Sequence, residues 1–332
     1  MNATFIKWSK VTLISIYLVI IAGATVRMTG SGMGCPDWPK CFGYYIPPTE
    51  EAQLIWNPDR SYNKGQVIIK DEKLWVANEN LSPSPQYNPE NWNEYTKHDY
   101  AIFNVYHTWT EYINRLFGAW AGIACLVLFV LAIRTQKMTF IVWSGIALFL
   151  LGFNAWLGAT VVFSVLNPVK ITTHMIAALL NVAAVIYLIH LAKKQPKKTY
   201  SKQFFNLSWI ALILTLIQIG LGTQVRQYID QFSHSGMVEK SLWLSNPDVF
   251  FYIHRTFSYV ILGIIAYLFM VNKKQNLQHS TIYKIVGLVI LETIIGIIMQ
   301  YAHFPFGTQA LHLVFAAILF GYMMKLSLEA SR

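Results

Sequence analysis

Tyr112-Ile113-Asn114-Arg115 and Tyr252-Ile253-His254-Arg255 each open an apolar run, and they stand 140 residues apart. Thr173-His174-Met175-Ile176-Ala177-Ala178 returns as Leu311-His312-Leu313-Val314-Phe315-Ala316-Ala317 at an offset of 138. Gly23-Ala24-Thr25-Val26-Arg27 and Gly222-Thr223-Gln224-Val225-Arg226 close two further runs at an offset of 199. The near-equal offsets mark an internal repeat. The longer third offset places about 59 extra residues after the first run.

The repeated runs are about 20 residues long, the length that crosses a bilayer as a helix. Hydrophobic residues make up 55% of the 332-residue chain and charged residues 13%, against about 25% charged in soluble domains. The pattern predicts eight spans, at 8–27, 107–133, 139–165, 170–192, 204–226, 248–271, 281–302 and 307–327. The first, apolar from about Val11 to Val26, leads into Arg27 without a small-residue cleavage site and reads as a retained helix. The fold expected is an all-α integral membrane protein with eight transmembrane helices. These form two pseudo-twofold-related four-helix bundles, with a small β-rich insertion on the outer face. Each half holds an even number of spans, so the pseudo-twofold axis runs along the membrane normal. The chain divides into a first span (1–27), an outer loop (28–106), the rest of the first half (107–192), a basic linker (193–203) and the second half (204–332).

A net charge of +10 raises the question of nucleic acid. The basic residues instead sit in short loops. Lys7 and Lys10, Arg134–Lys137, Lys193–Lys202, Lys273–Lys284, and Lys325 with Arg332 all fall on one side of alternating spans. Positive residues stay inside, so both termini are expected in the cytoplasm of a cell-membrane protein, and nucleic-acid binding is not expected. Segments 28–106, 166–169, 227–247 and 303–306 then face outward.

The outer loop is polar and rich in Pro, Asn, Trp and Tyr. From Trp56 to Trp92 it reads as a small three-stranded module, with Gln66–Lys70 and Lys73–Asn78 forming a hairpin across Asp71-Glu72. Its aromatic spacing resembles small chitin-binding-type carbohydrate modules. A compact cap over the outer face is the preferred reading, and sugar binding is not expected. Cys35 and Cys41 flank a short Pro-containing loop on the oxidising side. A disulfide and a pair of reduced thiols both fit there, and an exposed pair could exchange with thioredoxin-like proteins. Ligand spacing for zinc is lacking. Cys125 lies mid-span and reads as a packing residue.

His174, His254 and His312 each fall about four to six residues inside the outer end of a span. Ionisable side chains are expensive in hydrocarbon and mark function. Any one of them could be a hydrogen-bonded packing residue, but three at repeat-related depths argue for more. A neutral imidazole is an axial ligand for haem iron, and two from facing helices suit a four-helix bundle. His254 and His312 can pair in the second half. In the first, Asn114 stands where the repeat predicts the partner of His174, and an amide is a poor iron ligand. His107 is the replacement candidate, two turns earlier and about 10 Å away along the helix axis. An open position suits oxygen chemistry, and a closed bis-histidine site suits electron transfer. Glu111 lies one turn before Asn114 on the same face, where the second half has Phe251. It reads either as an interfacial charge or as a catalytic carboxylate. Arg27, Arg115, Arg226 and Arg255 lie near the outer ends of spans. Their guanidinium forks could hold haem propionates or snorkel to the interface. His98, His190, His234, His279 and His303 are given no role.

Taken together, these residues resemble the haem A synthase family. The resemblance is carried by the segment from Val26 to Gly43, by Glu111-Tyr112-Ile113-Asn114-Arg115, and by Thr173-His174-Met175, Ile253-His254-Arg255 and Leu311-His312. It covers both halves and omits only the inserted module. It implies eight spans in two repeats and oxidation of the C8 methyl of haem O to the formyl of haem A, for cytochrome oxidase. It also implies haem b held by His254 and His312, substrate haem O ligated by His174, Glu111 as the catalytic glutamate, and a Cys35–Cys41 disulfide. The partners implied are haem O, haem O synthase and an unidentified electron donor, with lipid around the spans and a homo-oligomer left open. The family pattern has histidine where this chain has Asn114, which puts the first-half ligation in doubt. The rival readings are a non-catalytic membrane cytochrome b electron carrier and a haem-sequestering oxidase assembly protein. A transporter fits least, because the histidines lie near one face rather than at the midplane.

Overall fold

The structure is a computed structural model describing residues 3–193, 198–234 and 239–331, with the side chains of residues 233 and 234 left aside. Lys194, Lys197 and Arg332 of the basic clusters lie outside the described residues. Eight of the described helices are long and apolar enough to cross a membrane. They are α1 (Ala3–Met28), α2 (Val105–Ile133), α3 (Met138–Phe163), α4 (Pro168–Ala192), α5 (Lys202–His234), α6 (Val249–Lys274), α7 (Thr281–Tyr301) and α8 (Thr308–Glu329). A helix satisfies its own backbone polar groups, which is why an apolar run of this length adopts one in lipid.

Polar caps set several helix starts. The Asn104 side chain accepts the N–H groups of Tyr106 and His107 at the start of α2. Asn167 accepts those of Val169 and Lys170 ahead of Pro168, the first residue of α4. Asp248 accepts from Val249 at the start of α6.

The observed helices match the expected spans within a few residues, except α5. That helix runs eight residues past the expected end at 226, through part of the segment read as loop. Two interactions carry it beyond the apolar run. Arg226 pairs with Asp230 one turn on at 2.7 Å. Ile229, with Tyr228 and Phe232, packs against Trp243 and Phe304.

In the first half the helix neighbours run α1–α2, α2–α3, α3–α4 and back to α1. In the second they run α5–α6, α6–α7, α7–α8 and back to α5. Between the halves α8 meets α1 and α4, and α4 meets α5. The largest apolar cluster lies along this junction and includes Ile20, Leu179, Val185, Ala211 and Met323. A Cβ on Gly321 would stand 2.1 Å from the Tyr17 hydroxyl, so the Tyr17 side chain takes its place against α8 because that position lacks one.

The outer segment contains β1 (Val67–Lys70), β2 (Lys73–Ala77) and β3 (Trp92–Glu94), an antiparallel sheet in that order. The expected hairpin is present, with Lys70 opposite Lys73. Asp71 and Glu72 have φ of 53° and 58°, the left-handed pair that matches strand twist in a two-residue turn. Alternate residues feed two clusters, as a period of two requires. Val67 and Leu74 pack with Phe42 and Leu54, and Ile68 and Ala77 pack with Tyr62 and Trp92. The Tyr62 and Trp92 rings lie 5.1 Å apart edge to face and belong to the core of the module. Cys35 and Cys41 form a disulfide.

Candidate functional site

The four repeat-related positions share one local construction. Each side chain lies over a glycine on the preceding helix. A Cβ on Gly23 of α1 would be 3.9 Å from Asn114 Oδ1, and one on Gly158 of α3 would be 3.7 Å from His174 Cε1. Gly222 of α5 would reach His254 Cε1 at 3.1 Å, and Gly296 of α7 would reach His312 Cε1 at 3.9 Å. A Cβ would already touch each group, so a longer side chain would take its space. These glycines keep four polar groups accommodated within apolar helix walls.

In the second half α6 and α8 bring His254 and His312 together. Their ring centres lie 6.3 Å apart with the rings at 83°. Two imidazole nitrogens, each about 2 Å from one metal ion, put ring centres roughly 6 Å apart, so the pair suits one iron. The Nδ1 atoms of both rings lack an aligned hydrogen-bond partner. Gln218, one turn before Gly222, donates its Nε2 to the His254 carbonyl at 3.0 Å. Glu292, one turn before Gly296, places Oε2 2.8 Å from His312 Nδ1, with both side chains mostly buried.

The first half is built differently. His174 sits on α4 with a buried, unpartnered Nδ1, and Asn114 sits on α2 with a buried, unpartnered Oδ1. Asn154, one turn before Gly158, likewise buries an unpartnered Oδ1. His107, the replacement candidate, lies at the N-terminal end of α2 with Nδ1 3.1 Å from Ser31 Oγ. Gly34 passes directly over its backbone, where a Cβ would stand 2.4 Å from the His107 carbonyl.

Glu111 is 4% exposed, and its carboxylate is engaged on both oxygens. Oε2 accepts the Cys35 N–H at 2.8 Å and Oε1 receives Arg115 Nη2 at 2.6 Å. Arg115 also donates to the carbonyls of Asp37, Lys40 and Cys35. The disulfide loop is therefore latched onto α2 within one turn of Asn114. In the same loop, burial pushes the Asp37 carboxyl above the usual carboxylate range, against the opposing pull of the Gly43 N–H, Arg115 and the Phe42 N–H.

The remaining arginines are not equivalent. Arg27 and Arg226, one from each half, share the carboxylate of Asp230 at 2.8 and 2.7 Å. Arg226 also donates to the Arg27 carbonyl at 3.1 Å. This cluster joins the C-terminal parts of α1 and α5. Arg255 is exposed and packs over the rings of Phe251 and Tyr252. Of the histidines given no role, His98 contacts the Pro36 carbonyl at 2.9 Å. His279 is buried against Phe204 near Lys198 and Glu329. Among the described residues no cluster of three His, Cys, Asp or Glu side chains could hold a free metal ion.

Sequence reasoning missed Glu292, Asn154, Gln218 and Asp230. A lone carboxylate inside an apolar run is itself a signal, and Glu292 carried it. Asn154 and Glu292 also stand 138 apart, the offset of His174 and His312.

The family model for cytochrome oxidase assembly proteins matches residues 6–66 and 63–324. The haem A synthase of Shewanella oneidensis is 24% identical, covering 93% of this chain and 92% of the relative. That of Flavobacterium johnsoniae is 23% identical, covering 97% and 96%. That of Bartonella quintana is 24% identical, covering 91% and 85%. The chain belongs to the cytochrome oxidase assembly protein family.

Proposed function

We propose that this protein is a haem A synthase, an oxidoreductase that converts the C8 methyl group of haem O to the formyl group of haem A. The observation that carries the reading is the contrast between the halves. One holds two facing imidazoles at single-iron spacing, and the other holds one buried imidazole, with a buried amide at the repeat position of the second. The relatives named haem A synthase span nearly the whole chain.

His254 and His312 would hold haem b, which supplies one-electron transfer when bound. His174 anchors substrate haem O in the first half, with Asn114 leaving the opposite face without a strong ligand. Glu111 sets a buried carboxylate beside that pocket, where it stabilises positive charge on the oxidised carbon or takes a proton from attacking water. Arg255 is the arginine of the four that is free of an ion pair among the described residues, and it is the one best placed to meet a propionate. Arg27, Arg115 and Arg226 meet one with the donors their protein partners leave. The two halves form two four-helix bundles in a multi-pass cell-membrane protein. Both termini are cytoplasmic and the disulfide loop lies outside. Haem O comes from its synthase, dioxygen is the oxidant, and a separate donor supplies the electrons that reduce it to water.

The test is co-expression with a haem O-producing system, followed by extraction and chromatography of the haems. Haem A, or a hydroxylated precursor, is expected. Haem O alone, with a normal low-spin spectrum of the purified protein, overturns the activity and favours the electron-carrier reading.

A further inference from the structure

We propose that Glu292 is a positioning residue for His312, fixing its imidazole through Nδ1 and lowering the reduction potential of the haem held in the second half. The inference rests on the ligand reading above. When Nε2 of a histidine faces iron, Nδ1 is its one remaining polar atom. Glu292 Oε2 lies 2.8 Å from that atom. Metal-bound histidines commonly give this second N–H to a carboxylate, which sets the tautomer and makes the ligand more basic.

Three observations converge on this residue. The carboxylate lies within a span, on the helix turn that precedes Gly296, and Gly296 is the glycine against His312. Glu292 is mostly buried, and its other oxygen, Oε1, has no partner. A carboxylate is expensive inside a bilayer, so its placement needs a local purpose, and His312 is the basic group within reach. Finally, the repeat puts Asn154 at the same station in the first half, one turn before Gly158, which contacts His174. There the carboxylate is replaced by a neutral amide with an unpartnered Oδ1.

The halves thus differ behind the shared histidine as well as at its partner and at Glu111. The second has two imidazoles and a carboxylate behind one of them. The first has one imidazole, with amides at the repeat positions of the second imidazole and of the carboxylate. A more basic ligand favours ferric over ferrous iron. The carboxylate therefore biases the second-half site toward giving electrons up, and the first-half ligand His174 lacks that bias.

The experiment is a redox titration of the purified, haem-loaded protein, with haem content and the low-spin spectrum measured on the same samples. Glu292→Gln is expected to keep both while weakening the ferric preference at least tenfold, a rise of 59 mV for a one-electron couple. Glu292→Asp, which keeps the carboxylate, is expected to restore most of the wild-type value. A Glu292→Gln protein with wild-type potential overturns the proposal. If Glu292→Gln does not retain haem, Glu292→Asp decides: recovery of haem and potential supports the proposal, and recovery of haem at a potential raised by 59 mV or more overturns it. His312→Ala separates this from the underlying reading. A His312→Ala protein that keeps its low-spin haem defeats the ligand assignment. Loss of haem in His312→Ala, beside an unchanged potential in Glu292→Gln, defeats only the role of Glu292.

Discussion

Gly222 lies directly against the ring of His254: a Cβ at that glycine would sit 3.1 Å from Cε1. The same relation joins Gly158 to His174 across α3 and α4 at 3.7 Å. The imidazoles owe their positions as much to what the neighbouring helix omits as to their own rotamers.

Replacing Gly222 with valine should therefore drive His254 out of place. Overpacking of this kind costs about 1–3 kcal/mol, enough to lower haem occupancy about tenfold. The low-spin signal in reduced-minus-oxidised spectra should fall accordingly. Gly158→Val should leave that signal intact and lower haem A production instead. Equal loss of the low-spin signal in both variants would contradict the division of labour between the halves.

Glu111 and Arg115 should separate chemistry from structure. Glu111→Gln keeps an acceptor for the Cys35 N–H and should leave the loop in place, while haem A formation falls about a hundredfold or more, as for loss of a general acid or base. Arg115→Ala strands a buried carboxylate and three loop carbonyls. Removing one partner of a buried ion pair costs about 3–5 kcal/mol. Thermal melts of the detergent-solubilised protein should show a larger drop for Arg115→Ala, which loses every loop contact of the guanidinium, than for Glu111→Gln, which keeps one acceptor.

Asp230 should matter more than either arginine it binds. Asp230→Ala leaves the guanidiniums of Arg27 and Arg226 side by side without their shared anion. A loss of about 3 kcal/mol or more is expected, with partial recovery in Asp230→Glu. Melting temperatures of Asp230→Ala and Arg27→Ala, compared at low and high salt, check this. Added salt should narrow the gap by screening the repulsion.

The segment between α1 and α2 should be weakened by strong alkali through Tyr95. Burial, then the charge of Asp37, push its hydroxyl up to about 12, from an ordinary value of about 10. It donates to the Pro36 carbonyl at 2.9 Å. The folded form holds this proton more tightly than the unfolded form. The stabilisation is therefore fully present below pH 10 and is lost as pH rises through about 12. An ultraviolet tyrosinate titration should show a late-ionising group that Tyr95→Phe removes.

Much of this molecule was already legible in its sequence. Apolar runs of bilayer length gave eight helices, because lipid leaves the backbone no other solution. The Asp71-Glu72 turn and the alternation around it produced the outer hairpin. The offsets of 140 and 138 paired Asn114 with His254 and His174 with His312, since residues repeated along two like halves recur at like depth. What tertiary structure alone decided were the partners across helices. Arg27 and Arg226 were equally compatible with holding propionates and with snorkelling to the interface until α5 continued past its apolar run and brought Asp230 between them. Glu111 became the latch of the disulfide loop because Gly34 lets that loop lie on α2. Glu292 came to stand behind His312 only when α7 packed against α8. Helical periodicity specifies which face a side chain occupies, but the group it meets is set by helix packing, and burial makes those pairings energetically decisive.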